Sequence, residues 1–232
     1  MEVSGREFEA VAEHAGEAYL RYSFTKGTAQ EVRFLVGVLG LRAGMRVLDV
    51  GCGPGRHAHA LRALGVDVVG VDISLAFLRA AGEGHWVRAD ARRLPLSPKS
   101  FDAAISLCQG GFGLLGGYDD AGVLSQISEC VKDGGRVAVS AFSAYFAVRH
   151  LEQGDTFDAG SGVHHELAEV RDPSGTPATF DLWTTCFTPR ELRLMAAAAG
   201  LTVESIWSVA PGDYRTRPPD LDHPEFLLVA AV

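Results

Sequence analysis

The chain has 232 residues, of which 22% are charged and 47% hydrophobic, and its formal net charge is -8 at pH 7. Composition and length are those of an ordinary soluble globular protein with room for a substantial core. The acidic balance argues against nucleic acid and against an anionic membrane surface as partners. We therefore expect a small-molecule substrate. We also expect the protein to be a monomer or homodimer.

The sequence predicts no segment that carries the chain to or across a membrane. The amino terminus has acidic residues where a secretory signal has a basic and then an apolar run. The longest uncharged stretch, residues 103–118, contains five glycines. Cys52, Cys108, Cys130 and Cys186 are widely separated, which predicts reduced thiols in a cytoplasmic protein.

Two helices are predicted at the start of the chain. Helical spacing covers residues 7–22 and 28–39, and a glycine follows each segment as a stop. Thr28 and Glu31 have the spacing of a capping box, in which the two side chains and the first backbone N–H groups bond reciprocally. We expect this box to start the second helix.

From residue 46 the chain alternates between strands and helices. The predicted strands are 46–50, 67–72, 85–89, 101–107 and 135–142, and the predicted helices are 56–64, 74–81 and 119–132. Such alternation predicts an α/β fold with a doubly wound, mostly parallel sheet and helices on both faces. Ligands of these sheets bind outside the carboxyl ends of the strands.

The first strand of this series leads into a glycine-rich turn. Residues 47–61, VLDVGCGPGRHAHAL, combine an apolar strand, glycines at 51, 53 and 55, and a helix start. Glycines let the backbone turn sharply and approach a ligand, and the free N–H groups of the helix point back at the turn. The pattern is Asp-x-Gly-x-Gly-x-Gly, which differs from the Gly-x-Gly-x-x-Gly of dinucleotide folds.

This motif resembles the first motif of the class I S-adenosylmethionine-dependent methyltransferases, and four later segments resemble the same family in order. They are VGVDIS at 69–74, RADARRLPL at 88–96, FDAAISLCQ at 101–109 and VKDGGRVAVSAF at 131–142. The resemblance implies a Rossmann-like sheet of seven strands whose last strand is antiparallel. It also implies S-adenosylmethionine as cofactor and S-adenosylhomocysteine as product.

The resemblance assigns a set of cofactor-binding residues. They are Asp49, Gly51, Cys52, Gly53, Asp72, Ile73, Asp90, Ala91, Leu107 and Cys108. In the family, the residue matching Asp49 helps anchor the methionyl amine, and a carbonyl near Leu107 or Cys108 accepts from that amine. Asp72 would hold both ribose hydroxyls, and Asp90 would accept from the adenine amino group. The alternatives are that Asp72 caps the next helix and that Asp90 is a solvated loop acid.

An insertion follows the fifth strand. Residues 143–187 are too long for an ordinary loop, and their β-branched and aromatic residues flank a strong turn at 172–176. They predict an antiparallel β-hairpin laid against the sheet edge or the ligand mouth.

The remaining elements are a helix and two strands. A capping threonine and a first-turn proline start the helix at 188, and residues 201–209 and 224–232 supply the strands. We expect one methyltransferase domain over 1–232. Its parts are a helical cover at 1–42, a donor-binding core at 43–142, a lid or hairpin at 143–187 and a closing helix with strands at 188–232.

Four residues are candidates for the acceptor side. Tyr22 ends the leading helical segment, where it either contacts a ligand or packs that helix on the sheet. Gln109 follows the fourth strand in a glycine-rich loop. His164 and His165 lie on the hairpin, where one could take a proton because the pKa of histidine is near neutrality. Adjacent strand residues face opposite sides, so at most one faces a pocket.

The function best supported by the sequence is methyl transfer to nitrogen or oxygen of a small molecule, by an in-line displacement that depends on positioning. No metal site is predicted, because no histidine pair has a third ligand at suitable spacing. The alternative is a protein that binds S-adenosylmethionine without methyl transfer. A nicotinamide-dependent dehydrogenase is disfavoured by the glycine spacing and by the lack of a second substrate domain.

Overall fold

The computed structural model describes residues 6–108, 110–117 and 119–232. In these ranges the strands are β1 (Arg46–Val50), β2 (Asp67–Asp72), β3 (His85–Arg88), β4 (Phe101–Ser106), β5 (Val131–Ser143), β6 (Thr156–Asp158), β7 (Val163–Arg171), β8 (Pro177–Phe187), β9 (Thr202–Val209) and β10 (Glu225–Ala231). The α-helices are α1 (Glu7–Ala15), α2 (Thr28–Leu39), α3 (Arg56–Arg62), α4 (Leu75–Ala80), α5 (Asp120–Cys130), α6 (Ala144–Arg149) and α7 (Pro189–Ala198).

The main sheet has the predicted architecture. β3, β2, β1, β4 and β5 are neighbours in that order and run parallel. β10 pairs antiparallel with both β5 and β9, which gives seven strands with an antiparallel last strand. The prediction of a mostly parallel, doubly wound sheet is confirmed.

The core lies on both faces of this sheet. Leu48 and Val50 of β1 belong to the cluster that packs against α5 and α7, whereas Val47 belongs to the cluster against α2 and α3. All three side chains are fully buried. A central parallel strand needs apolar residues on both faces, and the apolar run before the glycine turn supplies them.

The predicted hairpin is also confirmed. β7 pairs antiparallel with β8 along the whole of β7, and the Gly175 N–H donates to Asp172 O at 3.0 Å in the connecting turn. β8 joins the main sheet through a short parallel contact with β5. The sequence did not predict α6 or the short strand β6, which pairs with β7.

The leading helix is shorter than predicted. α1 ends at Ala15 because Gly16 adopts a φ of 47°, and residues 16–21 and 23–27 continue as two 3₁₀ helices. The helix prediction for 7–22 is therefore wrong in its second half. Glycine permits positive φ without steric cost, and Gly16 ends the α-helix in this way.

The capping box predicted for α2 is not formed. Gly27 is the N-cap residue, and no side chain caps the helix. Thr28 Oγ1 instead donates to Thr25 O at 2.7 Å, and Glu31 is completely buried. The Glu31 carboxylate binds other parts of the chain instead. Tertiary contacts therefore replace the predicted local hydrogen bonds. The equivalent box at Thr188 and Glu191 of α7 is present.

Candidate functional site

The glycine turn after β1 is shaped by a close approach of two loops. Gly51 has a φ of +67°, and a Cβ there would lie 1.8 Å from the carbonyl carbon of Gly110. A Cβ on Gly110 would in turn lie 2.6 Å from Val50 O. Gly51 is thus required by packing against the loop after β4, rather than by ligand approach alone.

Gly53 leaves space at the turn. A Cβ at this position would meet its nearest neighbour, the Phe77 ring, only at 3.9 Å. The Gly53 N–H donates to Asp72 Oδ2 at 2.7 Å, and the Ser74 N–H donates to Asp72 Oδ1 at 2.8 Å. Burial raises the pKa of Asp72, and these backbone donors oppose that shift. Asp72 therefore links the glycine turn to Ser74, and Ser74 rather than Asp72 is the N-cap of α4.

A cavity of about 900 Å³, counted to its open mouth, lies beside this turn. We call it the turn cavity. Its lining comprises Phe8, Tyr19, Phe24, Val50, Gly51, Cys52, Gly53, Pro54, Arg56, His57, Val71, Asp72, Ile73, Phe77, Ala89, Asp90, Ala91, Leu107, Cys108, Gly110, Gly111, Leu114 and Leu115.

The turn cavity brings together nine of the ten residues assigned to the cofactor. Asp49 is the exception: it lies behind the lining and is 2% exposed. Its Oδ2 has no hydrogen-bond partner among the described residues. Burial raises the pKa of Asp49 to about 7. An unpartnered buried carboxyl is costly, so this group is available to a donor next to the turn.

Asp90 is held by its neighbour Arg92. The guanidinium Nε and Nη2 donate to both carboxylate oxygens, with the shortest contact at 2.6 Å, and the Arg92 backbone N–H donates as well. These bonds hold the pKa of Asp90 below its usual range. The carboxylate lines the turn cavity but shares its acceptor capacity with this arginine.

A buried ion-pair cluster closes the turn cavity on the α2 side. Glu31 Oε2 accepts from Arg56 Nη1 at 2.5 Å and from His57 Nε2 at 2.7 Å, and Oε1 accepts from the Gly212 N–H at 2.8 Å. Burial opposes ionisation of Glu31, but His57 and Arg56 outweigh it and lower the pKa of Glu31. Arg56 Nη2 also donates to Cys108 Sγ at 2.9 Å.

Cys108 lies two residues after the end of β4 and has a strained backbone conformation. Its φ is 51°, an uncommon value for a residue with a side chain. Its backbone N–H donates to Ser140 Oγ at 2.8 Å. Burial raises the pKa of its thiol, which disfavours the thiolate form that acts as a nucleophile. The four cysteines are free.

The glycine-rich loop after β4 is fastened to the hairpin. The Gly113 N–H donates to Asp120 Oδ1 at 2.8 Å, and Gly113 O accepts from the Thr185 N–H at 2.7 Å. The Gly117 N–H donates to Thr185 Oγ1 at 2.9 Å. These bonds couple the turn cavity to β8. The predicted site residue Gln109 lies outside the described residues.

A second cavity, also of about 900 Å³ to its mouth, lies between residues 7–27, which we call the leading segment, and the hairpin. We call it the hairpin cavity. Its lining comprises Phe8, Val11, Tyr19, Tyr22, Phe24, Cys108, Phe142, Ala168, Glu169, Val170, Leu182, Pro211, Pro224 and Glu225. Phe8, Tyr19, Phe24 and Cys108 line both cavities, so the two spaces adjoin.

The leading segment forms the shared wall. The Tyr19 ring packs 4.7 Å from the Phe77 ring and 5.3 Å from the Phe24 ring, centroid to centroid. Tyr22 stacks on Phe24 at 5.9 Å, and its hydroxyl accepts from the Arg171 N–H at 2.9 Å. Tyr22 thus lines the hairpin cavity and also docks the leading segment on β7.

His164 and His165 lie farther along β7 and line neither cavity. His164 Nε2 is 3.2 Å from Asp155 Oδ2, and His165 Nε2 is 2.7 Å from Asp181 Oδ1. His165 also stacks on Trp183 with ring centroids 4.8 Å apart. The part of β7 that reaches the hairpin cavity is residues 168–170. A catalytic role for His164 or His165 stays a prediction.

Glu31 and Glu225 are among the residues at the two cavities that were not predicted from the sequence. Glu225 is 3% exposed and lines the hairpin cavity. A signal existed in each case: Glu225 begins the strongly apolar segment EFLLVAAV, and Glu31 lies on the face of α2 that carries Val32 and Leu35. An acid inside an apolar pattern is a candidate for a buried, partnered carboxyl.

Within the described ranges, no group of three or more histidine, cysteine, aspartate or glutamate side chains is arranged to hold a metal ion. The helices among the same residues are also too short or too polar to cross a membrane.

Comparisons with known proteins agree with this geometry. Residues 47–135 match the family model of a methyltransferase domain. A malonyl-[acyl-carrier protein] O-methyltransferase from Pseudescherichia vulneris is 34% identical over 140 residues, which are 58% of this chain and 54% of the relative. A demethylmenaquinone methyltransferase from Paenarthrobacter aurescens is 30% identical over 115 residues, 48% of this chain and 44% of the relative. The chain thus spans about half the length of these curated relatives.

Solved structures match over nearly the whole chain. The CcbJ methyltransferase from Streptomyces caelestis has a TM-score of 0.72 at 23% identity, covering 88% of this chain and 89% of that one. At this identity the likeness shows the fold. Residues 47–135 thus form a methyltransferase domain, and the chain has the fold of S-adenosylmethionine-dependent methyltransferases.

Proposed function

We propose that this protein transfers a methyl group from S-adenosylmethionine to nitrogen or oxygen of a small-molecule acceptor. One observation carries the proposal: the turn cavity adjoins the hairpin cavity through the four lining residues they share. A donor in the first and an acceptor in the second would meet at Phe8, Tyr19, Phe24 and Cys108.

The turn cavity fits the donor. Asp72 presents a carboxylate whose two oxygens each accept one backbone N–H, and each oxygen retains a lone pair for a ribose hydroxyl. Asp49 has an unpartnered buried oxygen beside the turn. The open space at Gly53 admits the methionine portion. We therefore expect these residues to hold S-adenosylmethionine.

The chain's own contribution is to hold and orient the two reactants. The sulfonium of S-adenosylmethionine supplies a methyl group that is already activated. Positioning of two reactants accounts for a large share of rate enhancement in such reactions. The aromatic wall formed by Phe8, Tyr19 and Phe24 lines both cavities and borders the place where they meet.

The acceptor class follows from charge and cavity chemistry rather than from the relatives. The net charge of -8 disfavours nucleic acid, and the hairpin cavity is bordered mainly by apolar and aromatic side chains. We expect the enzyme to act in the cytoplasm, as a monomer or homodimer, where its four free cysteines remain reduced.

Calorimetry with S-adenosylmethionine and S-adenosylhomocysteine tests the donor site, and a methyl-release assay over amines, phenols and carboxylic acids then tests transfer. We expect binding of both compounds and turnover on at least one acceptor class. Absence of binding would disprove the proposal. Binding without turnover across the panel would favour the alternative of a binding protein that does not transfer methyl groups.

The variant Asp72→Ala sharpens this test. It removes the expected ribose acceptor, so S-adenosylhomocysteine affinity should fall by roughly 10–100-fold, the loss expected for hydrogen bonds to a charged group. Asp72→Asn keeps the side-chain shape and should show an intermediate loss. Asp67→Ala is the matched control, because Asp67 lies at the other end of β2 with an exposed carboxylate. Equal affinities for the Asp72→Ala variant and wild type would refute the ribose assignment.

A further inference from the structure

Glu225 is a carboxyl group at the ligand-binding edge of the sheet. It is the first residue of β10 and pairs with Phe142 near the carboxyl end of β5. Ligands of parallel sheets bind outside the carboxyl ends of the strands. Glu225 lines the hairpin cavity and is 3% exposed. It therefore combines deep burial with a position at a cavity.

This carboxyl lacks a full set of partners. The Ser140 side chain hydrogen bonds with it, and Ser140 Oγ in turn accepts from the Cys108 N–H. The second oxygen, Oε2, has no hydrogen-bond partner in the described part of the chain. An ionised carboxylate in such a place is costly unless a donor or a cation reaches it.

The nearby cation, Arg56, already has hydrogen-bond partners. Arg56 is the cationic side chain whose charge acts on Glu225. Its Nη1 donates to Glu31 and Thr28, and its Nη2 donates to Cys108 Sγ. Because Glu31 balances its charge, Arg56 does not neutralise Glu225. A positive charge for Glu225 has to come from a ligand.

The walls of the cavity suit a cation with a hydrocarbon body. Phe8, Tyr19, Tyr22, Phe24 and Phe142 are among its lining residues. The faces of aromatic rings attract ammonium groups, and this attraction is stronger where water is excluded. Apolar surface would receive the rest of the molecule. An aromatic wall together with one buried carboxylate is complementary to an amine rather than to an anion.

The other carboxylate at this cavity has a different environment. Glu169 Oε1 accepts from Arg171 Nη2 at 2.6 Å, and its side chain is 56% exposed. Its charge is balanced by this arginine and screened by solvent. Glu169 therefore provides a matched control for Glu225, since both border the same cavity and only one is buried without a cation.

We propose that the hairpin cavity binds a small-molecule amine with an apolar body and that Glu225 pairs with its ammonium group and takes the proton that the nitrogen loses before methylation. This inference rests on the proposed methyl transfer and names its acceptor class. The shared residues Phe8, Tyr19, Phe24 and Cys108 place the amine next to the turn cavity.

The proton and electron balance is complete with the two reactants and the carboxylate. Glu225 accepts one proton from the ammonium group, which leaves a neutral amine and a carboxylic acid. The nitrogen lone pair then forms the N–C bond while the C–S bond breaks, and the bonding pair stays on sulfur. The positive charge passes to the methylated nitrogen. Glu225 later returns its proton to solvent.

Several charged and titratable groups from packed elements act on Glu225. They are Glu31 of α2, Arg56 of α3, Cys108 after β4 and Tyr214 in the loop before β10. Burial raises the pKa of Glu225 to about 7, and Glu31 adds to this shift while Ser140 and Arg56 oppose it. Amine binding should therefore strengthen as the pH rises from 6 to 8, with a midpoint near 7.

The test measures binding of 2-phenylethylamine and 2-phenylethanol to the S-adenosylhomocysteine complex by calorimetry at pH 8. The two probes share one body and differ in the polar group. We expect the wild type to prefer the amine by at least 10-fold. Glu225→Gln should remove that preference and leave S-adenosylhomocysteine affinity within 2-fold, and Glu169→Gln should retain both properties. These fold-changes correspond to loss of a charged hydrogen bond, roughly 10–100-fold.

Three results would overturn the inference: no amine binding by a protein that binds S-adenosylhomocysteine, equal affinity for amine and alcohol, or an unchanged preference in Glu225→Gln. Each leaves the proposed function standing, whereas loss of S-adenosylhomocysteine binding by the wild type is a failure of that function. If Glu225→Gln does not fold, the pH dependence of amine binding by the wild type tests the role of Glu225. A flat profile between pH 6 and 8 would refute the role of Glu225.

Discussion

The two adjoining cavities differ in how their carboxyl groups are satisfied. At the turn cavity, Asp72 accepts backbone N–H groups from Gly53 and Ser74, one of which lies two residues away along the chain. At the hairpin cavity, Glu225 depends on Ser140 from another strand and keeps one oxygen unpartnered. Part of the acceptor capacity of Asp72 is used by its own motif, whereas one oxygen of Glu225 is left for the amine that we propose.

The two cavities also differ in how the chain assembles them. The turn cavity, the proposed donor site, takes its polar groups from short segments that follow consecutive strands. The hairpin cavity is assembled from the leading segment, the insertion and the last strand. An acceptor site built this way changes with the insertion while the donor site stays intact. Separate substitutions in the two regions should therefore have separable effects.

The largest expected effect is at the turn. In Gly51→Ala the new Cβ would lie 1.8 Å from Gly110 C, so we expect a loss of on the order of 4 kcal/mol or more in unfolding free energy, in the range of severe steric mechanisms. Gly82→Ala is the control, with a φ of +68° but nothing within 4 Å of its Cβ. It should cost only about 1–2 kcal/mol, the price of a left-handed conformation. Urea unfolding measures both, and similar losses would contradict the role of Gly110.

The next effect concerns the buried ion-pair cluster of Glu31, Arg56 and His57 on the α2 side of the turn cavity. Glu31→Gln leaves the Arg56 guanidinium without its carboxylate, and breaking a buried ion pair costs about 3–5 kcal/mol. Glu204→Gln removes an exposed partner of Arg136 and should cost about 0–1 kcal/mol. Urea unfolding of both variants at pH 7 gives the comparison. Equal losses would show that the Glu31 cluster contributes no more than a surface pair.

The smallest effect has the opposite sign and depends on pH. Burial raises the pKa of Glu225 from 4.5 to about 7, so the stability that goes with the protonated carboxyl is present below about pH 4.5 and is lost as the pH rises to about 7. Glu225→Gln should therefore be more stable than the wild type by about 2–3 kcal/mol at pH 8 and by under about 1 kcal/mol at pH 5.

Thermal and urea unfolding of the wild type, Glu225→Gln and Glu169→Gln at both pH values measure this effect. Glu169→Gln should follow the wild type within about 0.5 kcal/mol, because its carboxylate is exposed. A gain for Glu225→Gln that is equal at pH 5 and pH 8 would show that the carboxyl is not the cause.

Much of the fold followed from local patterns. The apolar strand and glycine turn at 47–61, the alternating elements after it and the hairpin around the turn at 172–176 were predicted and are confirmed. The two errors at the start of the chain have different causes. The helix predicted for 7–22 ends early because Gly16 adopts a positive φ. Thr28 and Glu31 have capping-box spacing, but the Glu31 carboxylate binds Arg56, His57 and the Gly212 N–H instead.

Local sequence patterns predicted the succession of strands and helices and the glycine turn, and the resemblance to a family named nine of the residues that line the turn cavity. The local patterns could do so because these features depend on neighbours in the chain: apolar runs, glycines that permit positive φ, and acids at strand ends. The tertiary structure alone decided that Tyr22, Cys108 and Glu225 border one cavity. These residues lie together because the leading segment and the hairpin pack near the last strand. Local sequence patterns do not predict such long-range contacts.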